Sequence, residues 1–336
     1  MKHAAIGPIS ICYPDKSESN EDLDREFPDW GVDLIFSKTG IANRYVAADD
    51  ECSSDLAVKA AENLFAENGI DRSTIDYVLL CTQTPDYPLP TTSCLIQDRL
   101  GLRTDIGAFD FNLGCSGFVY GLSLAEGLIQ SGAAKRILFL TAETYTKYID
   151  PTDRSLRTIF SDAAVATLIE SVDERSVSAF QFGTDGSGGD TLLVAKGGHR
   201  SERDALKPRH RHRWPSELYM DGPSLISFAV GAVPGVIDQI LAKAEIDRDE
   251  IDLFLMHQAT RKMLNLLQER LCLDDEKLPI RLENCGNTVS STIPILIDDL
   301  RKEQKIKKGR NQIMIGFGVG WSWAGCVWRD VLCPNE

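Results

Sequence analysis

The chain has no CxxC pair, and its nine cysteines, at positions 12, 52, 81, 94, 115, 272, 285, 326 and 333, are odd in number and scattered. Neither a zinc ribbon nor a disulfide framework is implied by such spacing. Free thiols in a reducing compartment fit better, most of them as small buried hydrophobes. Basic residues are outnumbered, 36 Lys and Arg against 50 Asp and Glu, for a net charge of −14. That argues against a general nucleic-acid binder, because neutralising phosphates needs a basic surface. No apolar run reads as long enough to cross a bilayer, so no membrane partner is expected. The start, MKHAAIGPISICYPDKSESN, pairs a leading lysine with a short apolar stretch that turns polar. It reads as a first strand rather than a signal peptide, and a cytoplasmic location is the expectation. Histidine is scarce too, with five in the chain.

What is present is a large apolar fraction, 43%, enough to build a sizeable core, with 26% charged residues as in ordinary globular proteins. At 336 residues the chain holds two ordinary domains or one duplicated unit. An internal echo favours duplication. IDRSTIDYVLL begins at Ile70 and IDRDEIDLFLM at Ile246, close to half the chain apart. Each follows a stretch with apolar residues at helical spacing, SSDLAVKAAENLFAENG and SFAVGAVPGVIDQILAKAE. Each then enters a short apolar run that suits a buried strand. Downstream, both copies predict a helix and a short strand, then a small-residue turn that opens a helix. LGCSGFVYGLSLAEGLIQSG supplies that turn first and ENCGNTVSSTIPILIDDLRK second, and RILFLTAE and QIMIGFGVG follow as strands. Strands alternating with helices predict a mostly parallel sheet covered by helices. Two such halves predict an α/β fold in a five-layered α-β-α-β-α arrangement.

Three residues stand out for chemistry. Cys115, in Gly114-Cys115-Ser116-Gly117, falls in a predicted strand-turn-helix, where unpaired N–H groups and the helix dipole favour a thiolate. A nucleophile and a packed turn cysteine both fit that pattern. Of the five histidines, His3 is terminal and His199, His210 and His212 sit in the basic stretch Lys196 to Arg213. Only His257 follows a predicted buried strand. Near the loop histidines the only candidate metal ligands are Glu202 and Asp204, too thin a set for a metal centre. The basic stretch itself is either a solvated loop or a contact for CoA phosphates or an acidic carrier. Asn287, in Cys285-Gly286-Asn287-Thr288, occupies the second copy's counterpart of the cysteine turn, as a helix N-cap or as a site residue. Thiol, imidazole and amide all fall at strand ends or adjoining turns, where α/β sheets build sites.

Cys115 in FNLGCSGF, His257 in MHQAT and Asn287 in ENCGNT resemble the Cys–His–Asn set of ketoacyl-ACP synthase III. The likeness extends through Lys38-Thr39-Gly40-Ile41, DPTDR (150–154), Phe160-Ser161-Asp162 and Gly316-Phe317-Gly318-Val319-Gly320, in the same order over essentially the whole chain. It implies a thiolase-like fold with halves at 1–172, carrying the nucleophile and a homodimer interface, and 173–336, carrying His257 and Asn287. It also implies acyl loading on Cys115 from acyl-CoA or acyl carrier protein, then decarboxylative condensation with a malonyl thioester, with no metal or organic cofactor. The backbone N–H groups of Cys115 and Val319 would form the oxyanion hole, with Val319 replacing the usual glycine. Substrate contacts carried over are Leu34 at the adenine-stacking position, Lys38 for an arginine, Arg154, Leu89 at the acyl pocket's cross-dimer closure, Lys262 and Phe317. Ser227 replaces a basic residue of the pantetheine channel, and Thr260 replaces the commoner asparagine. These departures imply altered CoA binding and a primer other than acetyl, with Leu89 leaning toward a longer or branched group. The competing readings are acyl transfer to an oxygen or nitrogen acceptor on the same fold, and a catalytically silent scaffold. The intact Cys–His–Asn set argues against the scaffold.

Overall fold

A computed structural model describes residues 1–200 and 217–332. The first part of the chain runs through β1 (His3–Cys12), β2 (Ser17–Ser19), α1 (Asn20–Glu26), α2 (Val32–Thr39), β3 (Asn43–Tyr45) and α3 (Ser53–Asn68). It continues with β4 (Tyr77–Cys81), α4 (Thr92–Arg99), β5 (Gly107–Phe111), α5 (Gly117–Gln130), β6 (Arg136–Glu143), α6 (Arg154–Arg157) and β7 (Ala163–Val172). The second part holds β8 (Val177–Thr184), β9 (Leu192–Val194), β10 (Leu218–Met220), α7 (Gly222–Ala244) and β11 (Ile251–Met256). After these come α8 (Arg261–Leu271), α9 (Thr292–Lys302), β12 (Asn311–Gly318) and β13 (Ser322–Arg329).

Two sheets carry the molecule. One has the order β1-β7-β6-β4-β5 and the other β11-β12-β13-β8. The echo is visible in both. IDRSTIDYVLL and IDRDEIDLFLM each make a short 3-10 turn that leads into the strands β4 and β11. β4 pairs in parallel with β6 as β11 does with β12, and β6 with β7 is antiparallel as β12 with β13 is. β4 and β6 read as unbroken apolar runs because helices cover both their faces. α5 and α9 lie between the sheets, each packing on strands of both, while α3 and α4 cover the first sheet and α7 the second, with α8 against α7. That is the expected α-β-α-β-α layering.

Two expectations need correction. The second copy has no named strand matching β5; residues 278–282 run irregularly, with Lys277 C=O accepting from Phe254 N–H at 2.8 Å. Pro279 lies in that segment and lacks the N–H a ladder needs. Second, α7, at 23 residues, is long and apolar enough by composition to cross a membrane, contrary to the reading that no such run exists. Its apolar face, including Leu225, Ala229, Val233 and Ile237, is buried, and the helix packs on β8, β12, β13 and α8. The opposite face is exposed at Ser227, Gly231 and Gly235. Small residues there, rather than charges, keep the composition apolar although the helix has a core side and a solvent side.

Candidate active site

Cys115 sits where β5 leaves the first sheet and α5 begins, and it is 7% exposed. The turn is closed by Gly117 N–H donating to Gly114 C=O at 2.8 Å. The end of β12 crosses this turn so closely that a Cβ on Gly318 would lie 3.1 Å from the Cys115 Sγ. Burial and the nearby Glu143 carboxylate push the thiol up to about 12. Burial thus opposes the thiolate that the helix N-terminus favours.

His257 follows β11 directly. Its N–H donates to Ile315 C=O at 2.9 Å, and its ring stands edge-on to Phe317, with centroids 5.7 Å apart. Nδ1 lies 2.7 Å from the Thr292 hydroxyl. Complete burial lowers its pKa to about 3, so the imidazole is neutral at working pH. Gln258, beside it, is structural: its amide donates to Met256 C=O at 2.8 Å and accepts from Arg281 N–H at 2.8 Å.

Asn287 is held by its backbone. Its N–H donates to Ile159 C=O at 2.9 Å, and its C=O accepts from Ser161 N–H at 3.0 Å, pairing it with the Phe160 segment. Its side-chain oxygen accepts from Val289 N–H at 2.9 Å, which leaves the NH2 as the group available to the cavity. Ser291 is the N-cap of α9, while the bond from Val289 N–H to Asn287 lies at the start of the short 3-10 turn, Val289–Ser291, that leads into that helix.

Cys115, His257, Asn287 and Phe317 line one cavity of about 120 Å³, together with Tyr145, Phe160, Leu192, Met220 and Phe228. Thr260 lines it too, and also caps α8 by accepting from Met263 N–H at 3.3 Å, a role asparagine would share. Leu34, Lys38, Leu89, Arg154 and Lys262 do not line it. All five are exposed, Leu89 at 83%. Arg154 reaches Trp30 C=O at 3.5 Å, close to the start of α2, which carries Leu34 and Lys38. Val319, half-buried, follows Gly318 in the turn between β12 and β13, and Ser227 lines a groove with Phe228 and Trp321 on α7's exposed side. The basic stretch lies outside the described residues from position 201 on. Among the described residues no three His, Cys, Asp or Glu side chains are grouped to hold a metal.

Sequence reasoning missed Glu143, fully buried at the end of β6. It accepts from Gln83 N–H at 3.0 Å, the Thr84 hydroxyl at 3.1 Å and the Ser290 hydroxyl at 3.0 Å. Burial raises its pKa from 4.5 to about 8, with no cation among its neighbours to offset the cost. The folded protein then holds this proton more tightly than the unfolded chain. The associated stability is complete below pH 4.5 and is lost as pH rises through about 8. Wild-type stability should fall by up to about 1.4 kcal/mol per pH unit across that window from this group alone. Glu143→Gln removes the titration, so thermal melts over the window should show the variant gaining on wild type as pH rises. A gap that does not change with pH would contradict the assignment.

A buried thiol at a helix start, facing a neutral imidazole and an amide on a duplicated α/β scaffold, defines an acyl-condensing enzyme of thiolase-like fold. Family profiles described as 3-oxoacyl-[acyl-carrier-protein] synthase III and its C-terminal region match residues 109–186 and 241–330. The beta-ketoacyl-[acyl-carrier-protein] synthase III 2 of Halalkalibacterium halodurans is 35% identical, over 100% of this chain and 99% of its own. A crystal structure of the 3-oxoacyl-(acyl-carrier protein) synthase from Burkholderia xenovorans LB400 superposes with a TM-score of 0.90 and 34% identity, covering 100% of this chain and 97% of that one. The priming β-ketosynthase of the R1128 polyketide pathway superposes at 0.86 with 26% identity, covering 99% and 97%. The chain belongs to the 3-oxoacyl-ACP synthase III family.

Proposed function

We propose that this protein loads an acyl group from acyl-CoA or acyl carrier protein onto Cys115 and condenses it with a malonyl thioester. In the first half-reaction the Cys115 sulfur attacks the donor thioester, the Cys115 proton leaves with the released thiol, and an acyl-cysteine remains. The N–H groups of Cys115 and Val319 stabilise the oxyanion. In the second, His257 and Asn287 donate to the malonyl thioester carbonyl, carbon dioxide departs, and the enolate carbon attacks the acyl-cysteine. The product is a 3-ketoacyl thioester, and the Cys115 thiolate that leaves takes up a proton from solvent. No metal or organic cofactor takes part. The observation that carries this reading is the convergence of thiol, neutral imidazole and amide on one cavity.

Leu34 and Lys38 in place of a stacking aromatic and an arginine weaken adenine and phosphate contacts, since lysine lacks arginine's planar fork. With Phe317 on the cavity wall and Arg154 and Lys262 exposed outside it, these residues make up the donor-binding set. Leu89 is exposed on a single chain, which suits a position that closes a partner's acyl pocket and supports a homodimer as the working form. A smaller closing residue than an aromatic admits a longer or branched primer. Those departures, with the similarity to a priming ketosynthase, favour a specialised pathway over primary fatty-acid synthesis.

Intact-protein mass spectrometry with a panel of acyl-CoAs and acyl carrier proteins, followed by malonyl thioester, tests this. A mass gain on Cys115 that is discharged as a 3-ketoacyl product with release of carbon dioxide is expected. An adduct that malonyl thioester cannot discharge would point instead to transfer onto an oxygen or nitrogen acceptor.

A further inference from the structure

A neutral histidine offers one donor and one acceptor, so its usefulness to a carbonyl oxygen depends on which nitrogen holds the proton. Burial keeps His257 neutral, and its Nδ1 touches one partner, the Thr292 hydroxyl at 2.7 Å. That hydroxyl has one proton and two acceptors within reach, Nδ1 and the Val289 carbonyl at 3.2 Å. The two choices have opposite consequences. If the proton goes to Val289 C=O, the hydroxyl oxygen accepts from Nδ1–H, and Nε2 faces the cavity as a bare lone pair. If it goes to Nδ1, the ring's own proton must sit on Nε2, and His257 becomes a hydrogen-bond donor.

Distance decides between them. Hydroxyl donors reach oxygen acceptors most often at about 2.7–2.8 Å, and rarely bond well beyond about 3.0 Å. The Val289 contact is long for that purpose, while the His257 contact is short. We infer that Thr292 is a positioning residue that holds His257 in the Nε2–H tautomer, so that the ring presents a donor to the carbonyl of the malonyl thioester.

Asn287 is fixed in the same sense by the same short turn. Its oxygen is taken by Val289 N–H, so its NH2 is the end left to donate. Val289 adopts φ +56°, a conformation a β-branched residue rarely tolerates. That strain aims the Val289 N–H at Asn287, while Thr292, three residues on, serves His257. Two donors are thus preset from one segment, Val289 to Thr292. Thr292 lies at the first position of α9, the second-copy counterpart of α5, whose N-terminal turn carries Cys115. This inference rests on the condensing role proposed above.

The test separates the two. The 15N spectrum of His257 in the resting wild-type enzyme should show a protonated Nε2 and a bare Nδ1, whatever the substrate. Thr292→Val deletes the hydroxyl, and should lower carbon dioxide release from malonyl thioester by about tenfold, the scale of one lost hydrogen bond. Acyl loading of Cys115 should stay near wild type. Thr292→Ser should restore both the tautomer and the rate, which guards against reading a misfolded valine variant as support. A bare Nε2 in wild type, or full decarboxylation by a folded Thr292→Val, would overturn the inference. A correct tautomer in an enzyme that releases no carbon dioxide would instead remove the condensing reading while leaving the Thr292 assignment standing.

Discussion

Cys115→Ala abolishes acyl loading, whereas Asn287→Ala loads at close to the wild-type rate and fails at condensation. The expected loss in the second variant is about 10²–10³-fold in carbon dioxide release, the scale of one oxyanion donor removed. The split follows from where each group is held. The thiol belongs to the β5–α5 turn and acts on the donor thioester, so nothing replaces it. Asn287 keeps its place through backbone bonds to Ile159 and Ser161, which alanine preserves, so the cavity wall survives the substitution. What disappears is the amide donor, together with the bond from Val289 N–H, a stability cost of about 1 kcal/mol. Intact mass after acyl-CoA treatment reads the first step, and carbon dioxide release reads the second. An equal loss of loading in both variants would contradict the division of roles.

The duplicated fold was legible because the repeat is carried by features that sequence shows directly. Apolar strand runs, helical spacing and small-residue turns recur in the same order in both halves. It failed where identity and environment part company. Residues 278–282 match a strand by position, yet Pro279 withholds a ladder donor. α7 was read as an amphipathic helix, and that is how it packs, but its solvent face is mostly small, with Asp238 and Lys243 its two charges. The run is therefore also long and apolar enough to pass for a membrane span.

The site was legible for a narrower reason. Cys115, His257 and Asn287 each sit where an element ends, so turn composition and a resemblance suffice to pick them out. The groups that tune them come from elsewhere. Thr292 reaches His257 across 35 positions, and Ser290 reaches Glu143 across 147. No spacing rule covers such distances. One local signal did exist for Glu143, a charge closing the buried run RILFLTAE, where an acid needs a reason to be. The cavity walls Tyr145, Leu192 and Met220 gave none, since each reads as ordinary core until the sheets are stacked.

Gly316→Ala and Gly318→Ala should fail in different ways, although they lie two residues apart on the same strand face. At Gly316 a new Cβ would meet the Cys115 carbonyl oxygen at 2.5 Å and the Ser116 Cα at 2.7 Å. Both are backbone atoms, so β12 and the nucleophile turn must move apart. Overpacking of this kind costs about 1–3 kcal/mol, and the variant should melt at a lower temperature and load poorly. At Gly318 the nearest atoms are the Cys115 Cβ at 2.8 Å and Sγ at 3.1 Å. Rotation about χ1 moves Sγ but not Cβ, so β12 must give here too, by less than at Gly316, and the melting temperature should fall by a smaller amount. The thiol itself is pushed from its place, and a displacement of about 1 Å should slow loading about 10²-fold. Thermal melts and single-turnover loading on both variants read the difference. Wild-type loading by Gly318→Ala would mean that the thiol does not react from the position where β12 holds it.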